Sequence, residues 1–462
     1  MNDWNLDQLH EECGVFGVYH QEEAAPLCYF GLHALQHRGQ EAAGIAVSDG
    51  ENLRCHKGTG LVTEVFTPEN LQSLTGINGI GHVRYATAGG SEIENAQPIL
   101  ARAKVGSIAV VHNGQIVNAE ELRQELEDRG SIFRGSSDSE IILHLIQGQK
   151  GTLLEKIQRA CQRLEGAFAF LILTEKNLYA IRDRHGLRPL ALAKLGDGYC
   201  LSSETCAFHT ISAQYIRDIH PGEILKISAH GLESSYYTQP AQRRVCAMEY
   251  IYFARPDSDI DGLNVHTVRK RTGALLAQKD AGKLEADIVV GVPDSSLAAA
   301  MGYSEASGLP YETGLIKNRY VGRTFIKPTQ KQRDMGVKMK LSPNIAVVRG
   351  KRVVLVDDSI VRGTTSKRIV RLLKDAGALE VHLRIAAPPI LYPCFYGVDT
   401  PTRRELISAR LDEEALCQEV GADSLVFLTK EELCRAWGGS DFCFACFDGD
   451  YATDLYSHDP EQ

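Results

Sequence analysis

The most sharply patterned stretch of the chain is Val353-Val354-Leu355-Val356, four aliphatic residues in a row, as in a parallel strand buried on both faces. Asp357 and Asp358 end the run, and Ser359-Ile360-Val361-Arg362-Gly363-Thr364-Thr365-Ser366 follows as a loop of hydroxyls and glycine. A helix is predicted from Lys367 to about Asp375. A second buried run, Ala286-Asp287-Ile288-Val289-Val290-Gly291-Val292, leads past Pro293-Asp294-Ser295-Ser296 into a helix that Gly308 and Pro310 close. With a third run, Val381-His382-Leu383-Arg384-Ile385-Ala386, strand and helix alternate, which predicts a parallel sheet. Such sheets bind ligands in the crevice at the carboxyl ends of their strands. Arg362 to Ser366 offer backbone N–H groups and three hydroxyls at a helix N-terminus, a ready site for a phosphate.

The first half of the chain is patterned differently. Ala167–Leu173, Leu178–Ile181 and Ile224–Ile227 read as short strands. Asn118-Ala119-Glu120-Glu121 has a capping-box pattern, and Gly130 closes the helix it starts. Asp138 falls in a helix N-cap region before Ile141-Ile142-Leu143. Together these predict a sandwich of sheets covered by helices. The chain turns polar between about Ser228 and Ala241, so we divide it into 13–237 and 238–462.

Composition narrows the function. At 462 residues there is room for two or three domains with real cores. Charges of 50 basic against 59 acidic residues give −9, which argues against a general nucleic-acid binder. No apolar run approaches the roughly 18 residues of a membrane span. The first twelve residues are acidic with no Lys or Arg, unlike a signal peptide, so a cytoplasmic location is expected. Twelve cysteines in that compartment mean thiols, metal ligands or a nucleophile rather than disulfides. One segment stands against the overall charge: Lys317 to Lys340 holds eight basic residues and one acid.

The stretch from Val353 to Ser366 resembles, over its whole length, the phosphoribosyl-pyrophosphate (PRPP) loop of type I phosphoribosyltransferases. It lacks the residue order of a P-loop. The resemblance implies PRPP binding by Asp357, Asp358, Ser359, Arg362, Gly363, Thr364 and Thr365. It also implies one Mg²⁺ per subunit, with Ser295, Asp357 and Asp358 as candidate ligands; such an ion takes few protein oxygens and keeps waters. Lys317-Asn318-Arg319-Tyr320-Val321-Gly322-Arg323-Thr324 resembles the flexible loop that closes over PRPP in glutamine PRPP amidotransferases. Lys317, Arg319, Tyr320 and Arg323 would form a cationic lid that excludes water from a reactive glycosyl centre.

Further motifs lie in the first half: Glu11-Glu12-Cys13-Gly14-Val15-Phe16-Gly17, His33-Ala34-Leu35-Gln36-His37-Arg38-Gly39-Gln40-Glu41, Gly81-His82-Val83-Arg84-Tyr85, His112-Asn113-Gly114 and Ser136-Ser137-Asp138-Ser139-Glu140. In this order they resemble the glutamine amidotransferase domain of the N-terminal-nucleophile hydrolases. Hydrolysis of a carboxamide needs a nucleophile, a base, a substrate anchor and an oxyanion hole. A thiol is strongly nucleophilic and a free α-amine of pKa about 7.7–8.0 can take its proton. Cys13 would therefore act only once Met1 to Glu12, read as a propeptide, are removed. By resemblance Arg84 grips the glutamine carboxylate, Asp138 holds its α-ammonium, and Asn113 with the Gly114 N–H forms the oxyanion hole.

Cys443-Phe444-Ala445-Cys446 is a CxxC with no second CxxC, so spacing alone completes no site. By position in the resemblance, Cys246 and Cys394 match the other two ligands of a [4Fe–4S] cluster, although four thiolates can equally hold Zn²⁺. Cys28, Cys55, Cys161, Cys200, Cys206, Cys417 and Cys434 read as buried or spare thiols.

The chain as a whole is identified as a member of the glutamine PRPP amidotransferases, in the propeptide- and iron–sulfur-containing branch. The fold this implies is an α+β N-terminal-nucleophile (αββα sandwich) glutaminase domain followed by an α/β type I phosphoribosyltransferase domain. The implied reaction makes 5-phosphoribosylamine from glutamine and PRPP, the first committed step of purine synthesis. Feedback inhibition by purine nucleotides, an internal ammonia channel and a homotetramer are implied in the same way. Two other readings compete: another Cys-nucleophile amidotransferase, such as a glucosamine-phosphate synthase, and a catalytically silent PRPP sensor. The Asp357–Thr365 loop speaks against the first, and the presence of Cys13, Arg84, Asn113 and Asp138 against the second.

Overall fold

The computed structural model describes residues 13–85, 92–103, 106–239, 241–318, 341–400 and 402–461. The expected propeptide and the lid residues Arg319, Tyr320 and Arg323 lie outside them.

Two antiparallel sheets fill the first half. One has seven strands in the spatial order Gln214–Asp218, Ala191–Leu195, Gly198–Ser202, Gly14–Tyr19, Asn78–Arg84, Ala42–Ser48, Leu53–Thr59. The other has six, in the order Gly231–Tyr236, Glu223–Ser228, Leu178–Arg182, Gly166–Thr174, Gly106–Ile116, Ile99–Ala103. Val15, Ala46, Ile80, Val111, Leu171 and Leu225 pack in one core, to which strands of both sheets contribute. Helices Ala24–Ala34 and Cys206–Thr210 share a second core with strands of the first sheet. Helices Ile141–Gly148 and Leu153–Cys161 share a third with the other. The central strands Gly14–Tyr19 and Gly166–Thr174 are consequently buried at every position. This is the αββα sandwich that the short strands predicted.

Local details differ. The capping box expected at Asn118 does not form. The Asn118 side chain instead donates to the Arg163 carbonyl (2.9 Å) and accepts from the Glu165 N–H (3.0 Å). That pair ties the helix Ala119–Asp128 to the chain leaving Leu153–Cys161, a longer-range use of the same amide.

The second half holds a four-stranded parallel sheet, Ile288–Gly291, Arg352–Asp357, Glu380–Ile385 and Ser424–Phe427, in sequence order. Helices Leu297–Ser307, Thr364–Asp375 and Glu413–Val420 lie in the crossovers, and Gly308 caps the first of them in the left-handed conformation. The second helix begins at Thr364 rather than Lys367, so Thr364, Thr365 and Ser366 form its first turn instead of a loop. A shorter turn, Ser359 to Gly363, therefore carries the reversal at the end of the strand.

Charged groups join the two halves. Arg182, fully buried, grips Asp261 with both terminal nitrogens at 3.0 and 2.8 Å. Among the described residues no helix is long and apolar enough to cross a membrane.

Candidate functional site

Cys13 sits half-buried one residue before the strand Gly14–Tyr19. Gly14 pairs with Val83 on the neighbouring strand, which brings Arg84 and Tyr85 alongside. The thiol donates to the Tyr85 carbonyl at 3.5 Å. Burial pushes it up to about 11, against that bond and the nearby Arg84 and Arg38 charges. Such a thiol is almost wholly protonated at neutral pH, so attack on an amide needs a base within reach.

Asn113 is fully buried on the strand Gly106–Ile116. Its Nδ2 reaches Ser203 Oγ at 3.5 Å, and the same hydroxyl accepts from the Val15 N–H at 3.0 Å. One serine thus ties Asn113 to the nucleophile's strand. Asn113 Oδ1 has no hydrogen-bond partner among the described residues, and turning the amide over would present its donor there instead. Gly114 follows at φ +135, and a Cβ on it would lie 2.1 Å from the Ala167 carbonyl oxygen. Only glycine fits.

Asp138 is buried, yet it is not the helix cap expected of it. Ser137 takes that role by accepting from the Ser139 N–H at 3.3 Å, which leaves the Asp138 carboxylate to reach the Ile116 N–H at 2.9 Å. Burial would raise this carboxyl, but His112, the Ile116 amide and Ser139 together hold it below its ordinary value. Cys13 thus lies within the electrostatic influence of both Arg84 and Asp138, and Asn113 is joined through Ser203 to the strand that Cys13 precedes.

Arg38 lies within the His33–Glu41 motif, where nothing in the local sequence marks a role for it. In the structure it is fully buried, and its Nε donates to the Cys13 carbonyl at 3.3 Å. Its terminal nitrogens grip Glu249 (2.9 and 2.6 Å) and Glu204 (2.6 Å). Glu204 also meets His37 (2.7 Å), Ser258 Oγ (2.7 Å) and the Arg255 N–H (2.9 Å), and Glu249 meets Arg188 (3.4 Å). Burial alone would raise Glu204; His37, Arg38 and Ser258 hold it far below the usual carboxylate range. Nothing in the residues around Glu249 marked it, because its partner lies 211 positions away.

At the carboxyl ends of the parallel strands, Ser295 Oγ donates to Asp358 Oδ1 at 2.9 Å. Ser296 Oγ reaches Asp357 (3.1 Å) and Asp358 (3.3 Å), and Ser359 Oγ reaches Asp358 Oδ2 at 3.0 Å. Burial, and then the Asp358 charge, push Asp357 well above its ordinary value. A cation would relieve both effects. Ser295, Asp357, Asp358, Ser359 and Thr365 line one cleft of about 460 Å³. Arg362 pairs with Glu405 (3.4 Å), and Lys317 with Asp294 (3.0 Å), the residue before Ser295; both pairs are partly exposed.

Cys246, Cys394, Cys443 and Cys446 line one apolar cavity of about 410 Å³. Cys246 and Cys443 come together because Val245–Cys246 pairs with Phe442–Cys443 as parallel strands. Burial and neighbouring thiols push Cys443 and Cys246 up to about 12. Among the described residues no three His, Cys, Asp or Glu side chains are grouped closely enough for a single metal ion. The remaining cysteines are free, and four of them, Cys28, Cys161, Cys200 and Cys206, are buried.

Residues 82–210 match the model of the glutamine amidotransferase domain, and residues 263–388 that of the phosphoribosyl transferase domain. The amidophosphoribosyltransferase of Bacillus subtilis (strain 168) is 54% identical over 456 residues, 97% of this chain and 95% of that protein. The chain belongs to the amidophosphoribosyltransferase family. Its activity is the glutamine-dependent amidation of PRPP to 5-phosphoribosylamine in purine biosynthesis, with release of glutamate and pyrophosphate. The amidophosphoribosyltransferase of Staphylococcus epidermidis (strain RP62A) is 50% identical over 98% of this chain. Among solved structures, glutamine PRPP amidotransferase from B. subtilis, complexed with ADP and GMP, superposes with a TM-score of 0.92 at 53% identity. The match covers 96% of this chain and 98% of that one. The structure of "the allosteric regulatory enzyme of purine biosynthesis" gives a TM-score of 0.93, also at 53% identity, over 97% and 98% of the two chains.

Proposed function

We propose that the amidation is divided between the two sites, with Cys13 as nucleophile. Residues 1–12 are a propeptide whose removal frees the Cys13 α-amine to act as base. Arg84 and Asp138 hold the two ends of glutamine, and Asn113 with the Gly114 N–H stabilises the oxyanion of the thioester-forming step. Ammonia so released displaces pyrophosphate at C1 of PRPP, which Asp357, Asp358, Ser359, Arg362, Gly363, Thr364 and Thr365 hold under a lid carrying Lys317, Arg319, Tyr320 and Arg323. Residues 13–237 are the glutaminase domain and 238–462 the phosphoribosyltransferase domain, in a cytoplasmic enzyme. The observation that carries this reading is the placement of Cys13 at the strand end beside Arg84 and Tyr85, its thiol on the Tyr85 carbonyl, with buried Asn113 tied through Ser203 to the strand that follows it.

Ser295, Asp357 and Asp358 would hold Mg²⁺, which neutralises the departing pyrophosphate. Cys246, Cys394, Cys443 and Cys446 would hold a [4Fe–4S] cluster. What supports a shared group there is that all four cysteines line one apolar cavity. The cluster is structural and makes the protein oxygen-sensitive. The B. subtilis structure holds ADP and GMP, which supports feedback inhibition by purine nucleotides; a homotetramer completes the proposal. N-terminal mass analysis of anaerobically purified protein tests the first part. A chain beginning at Cys13 is expected, and full glutaminase activity in an uncleaved chain would refute it. Iron and sulfide at about four each per chain are expected, and zinc instead would refute the cluster.

A further inference from the structure

The chain from Glu249 to Phe253 forms a π-helical turn, closed by the Ala254 N–H on the Glu249 carbonyl at 3.0 Å. Single π-turns are uncommon and recur at functional sites. This one has a buried charge at each end. Glu249, its first residue, holds Arg38 through both terminal nitrogens, and Arg38 Nε bears on the Cys13 carbonyl. The carbonyls of Tyr250, beside Glu249, and of Ala254, at the far end, accept from Arg269 Nε (2.7 Å) and Nη2 (2.9 Å).

Arg269 belongs to the helix Val265–Asp280 and is 5% exposed. Among the described residues it forms no ion pair, and its Nη1 makes no hydrogen bond. A buried cation held only by two carbonyls is costly to keep. Burial drives its pKa down to about 10, with Asp358 the strongest of the anions that oppose the shift. The side chain lines an enclosed pocket of about 260 Å³ together with Ser295, Ser296 and Asp358. Those three residues also form the hydroxyl–carboxylate cluster of the PRPP cleft.

We propose that Arg269 is a positioning residue that couples occupancy of the PRPP cleft to the glutaminase nucleophile, through the π-turn, Glu249 and Arg38. The proposal rests on the assignment of Ser295, Asp357 and Asp358 to Mg²⁺ and PRPP. Asp358 is the strongest of the anions acting on this guanidinium. When a cation binds Asp358 and a polyphosphate arrives, the field at Arg269 changes, while its two remaining bonds tie it to the turn. Any shift of Arg269 is therefore a shift of the carbonyls of Tyr250 and Ala254, and so of Glu249. Glu249 sets how Arg38 sits on the Cys13 backbone. From Arg269 to the Cys13 backbone the route is three hydrogen-bonded steps, Arg269 to the turn, Glu249 to Arg38 and Arg38 to Cys13, and Arg269 meets the cleft through the pocket it shares with Ser295, Ser296 and Asp358.

The test compares wild type, Arg269→Gln, Arg269→Lys and Glu249→Gln in the full chain. Three readouts are needed: glutaminase with and without saturating Mg²⁺-PRPP, pyrophosphate release with ammonia as nitrogen source, and the melting temperature. Arg269→Gln is expected to lower the PRPP-dependent rise in glutaminase kcat by about fivefold or more, the size of a typical coupling. The ammonia-dependent kcat should change little. Arg269→Lys restores part of the rise because it keeps the charge, and Glu249→Gln reproduces the loss. Equal losses in both reactions with a lower melting temperature would reduce Arg269 to a cap on the turn and overturn the proposal. A raised KM for PRPP with full stimulation at saturation would make it a PRPP ligand only, and also overturn it. A wild-type chain in which ammonia and PRPP yield no pyrophosphate would instead refute the cleft assignment beneath it.

Discussion

Cys13 illustrates how one residue's environment sets its mechanism. A cysteine activated by a neighbouring cation exists as a thiolate well below pH 7. Here burial outweighs Arg84 and Arg38 and leaves the thiol near 11. On the proposal that residues 1–12 are removed, the Cys13 α-amine takes the proton, and free α-amines titrate near 7.7–8.0. Because that amine acts only when deprotonated, kcat/KM for glutamine should rise with pH through the amine's range and fall away below it. A pH profile flat down to about 5 would indicate a preformed thiolate instead. The proposed oxyanion hole gives a second expectation. Asn113→Ala removes one donor, which should lower glutaminase kcat by about 10²–10³, with little change in KM. Steady-state kinetics on glutamine alone measures it.

The elements were more legible than the contacts between them. Val353–Val356 and Ile288–Val292 announced strands buried on both faces, and both appear in the parallel sheet. Cys13, Asn113 and Asp138 could be singled out in the sequence because carboxamide hydrolysis calls for particular residue types. Glu249 was not, since a lone acid in Met248-Glu249-Tyr250 becomes informative only once Arg38 is folded against it. Asn118 failed as a cap for a related reason: a tertiary contact outcompeted the local pattern. The segment after Cys394 shows the same dependence on tertiary structure. Gly397, at φ +102, lies so near the strand Gly106–Ile116 that a Cβ would stand 3.1 Å from the Gly114 carbonyl carbon. Arg188 fastens that segment by donating Nε to the Tyr396 carbonyl at 3.0 Å. Gly397→Ala should therefore depress glutamine-dependent turnover while leaving ammonia-dependent turnover largely intact. Comparing the two nitrogen sources in one preparation measures this.

At the scale of the whole molecule, the two halves meet through buried ions as well as apolar surface. Arg38, Glu204, Glu249, Arg182, Asp261 and Arg188 are all largely or fully buried. Breaking such a network by deleting one partner costs about 3–5 kcal/mol, because the other charge stays buried and alone. Arg38→Met should thus destabilise the fold by that order as well as abolish glutaminase. Acid should act through the same seam. The folded Glu204 carboxyl lies below its unfolded value near 4.3, so its contribution is complete above that pH. It is lost progressively as pH falls from about 4.3 towards the folded value. Melting temperatures measured from pH 7 to pH 3 should show this loss, and Glu204→Gln should remove the part due to this residue.

The central claim is that one chain carries two chemically distinct half-sites that work together. The most direct measurement is simultaneous release of glutamate and pyrophosphate by anaerobically purified protein, with and without Mg²⁺-PRPP. The account predicts that both products appear together, that PRPP raises the glutaminase rate, and that Cys13→Ala removes glutamate formation while ammonia still supports pyrophosphate release. Glutamate release indifferent to PRPP, with no pyrophosphate formed, would contradict it.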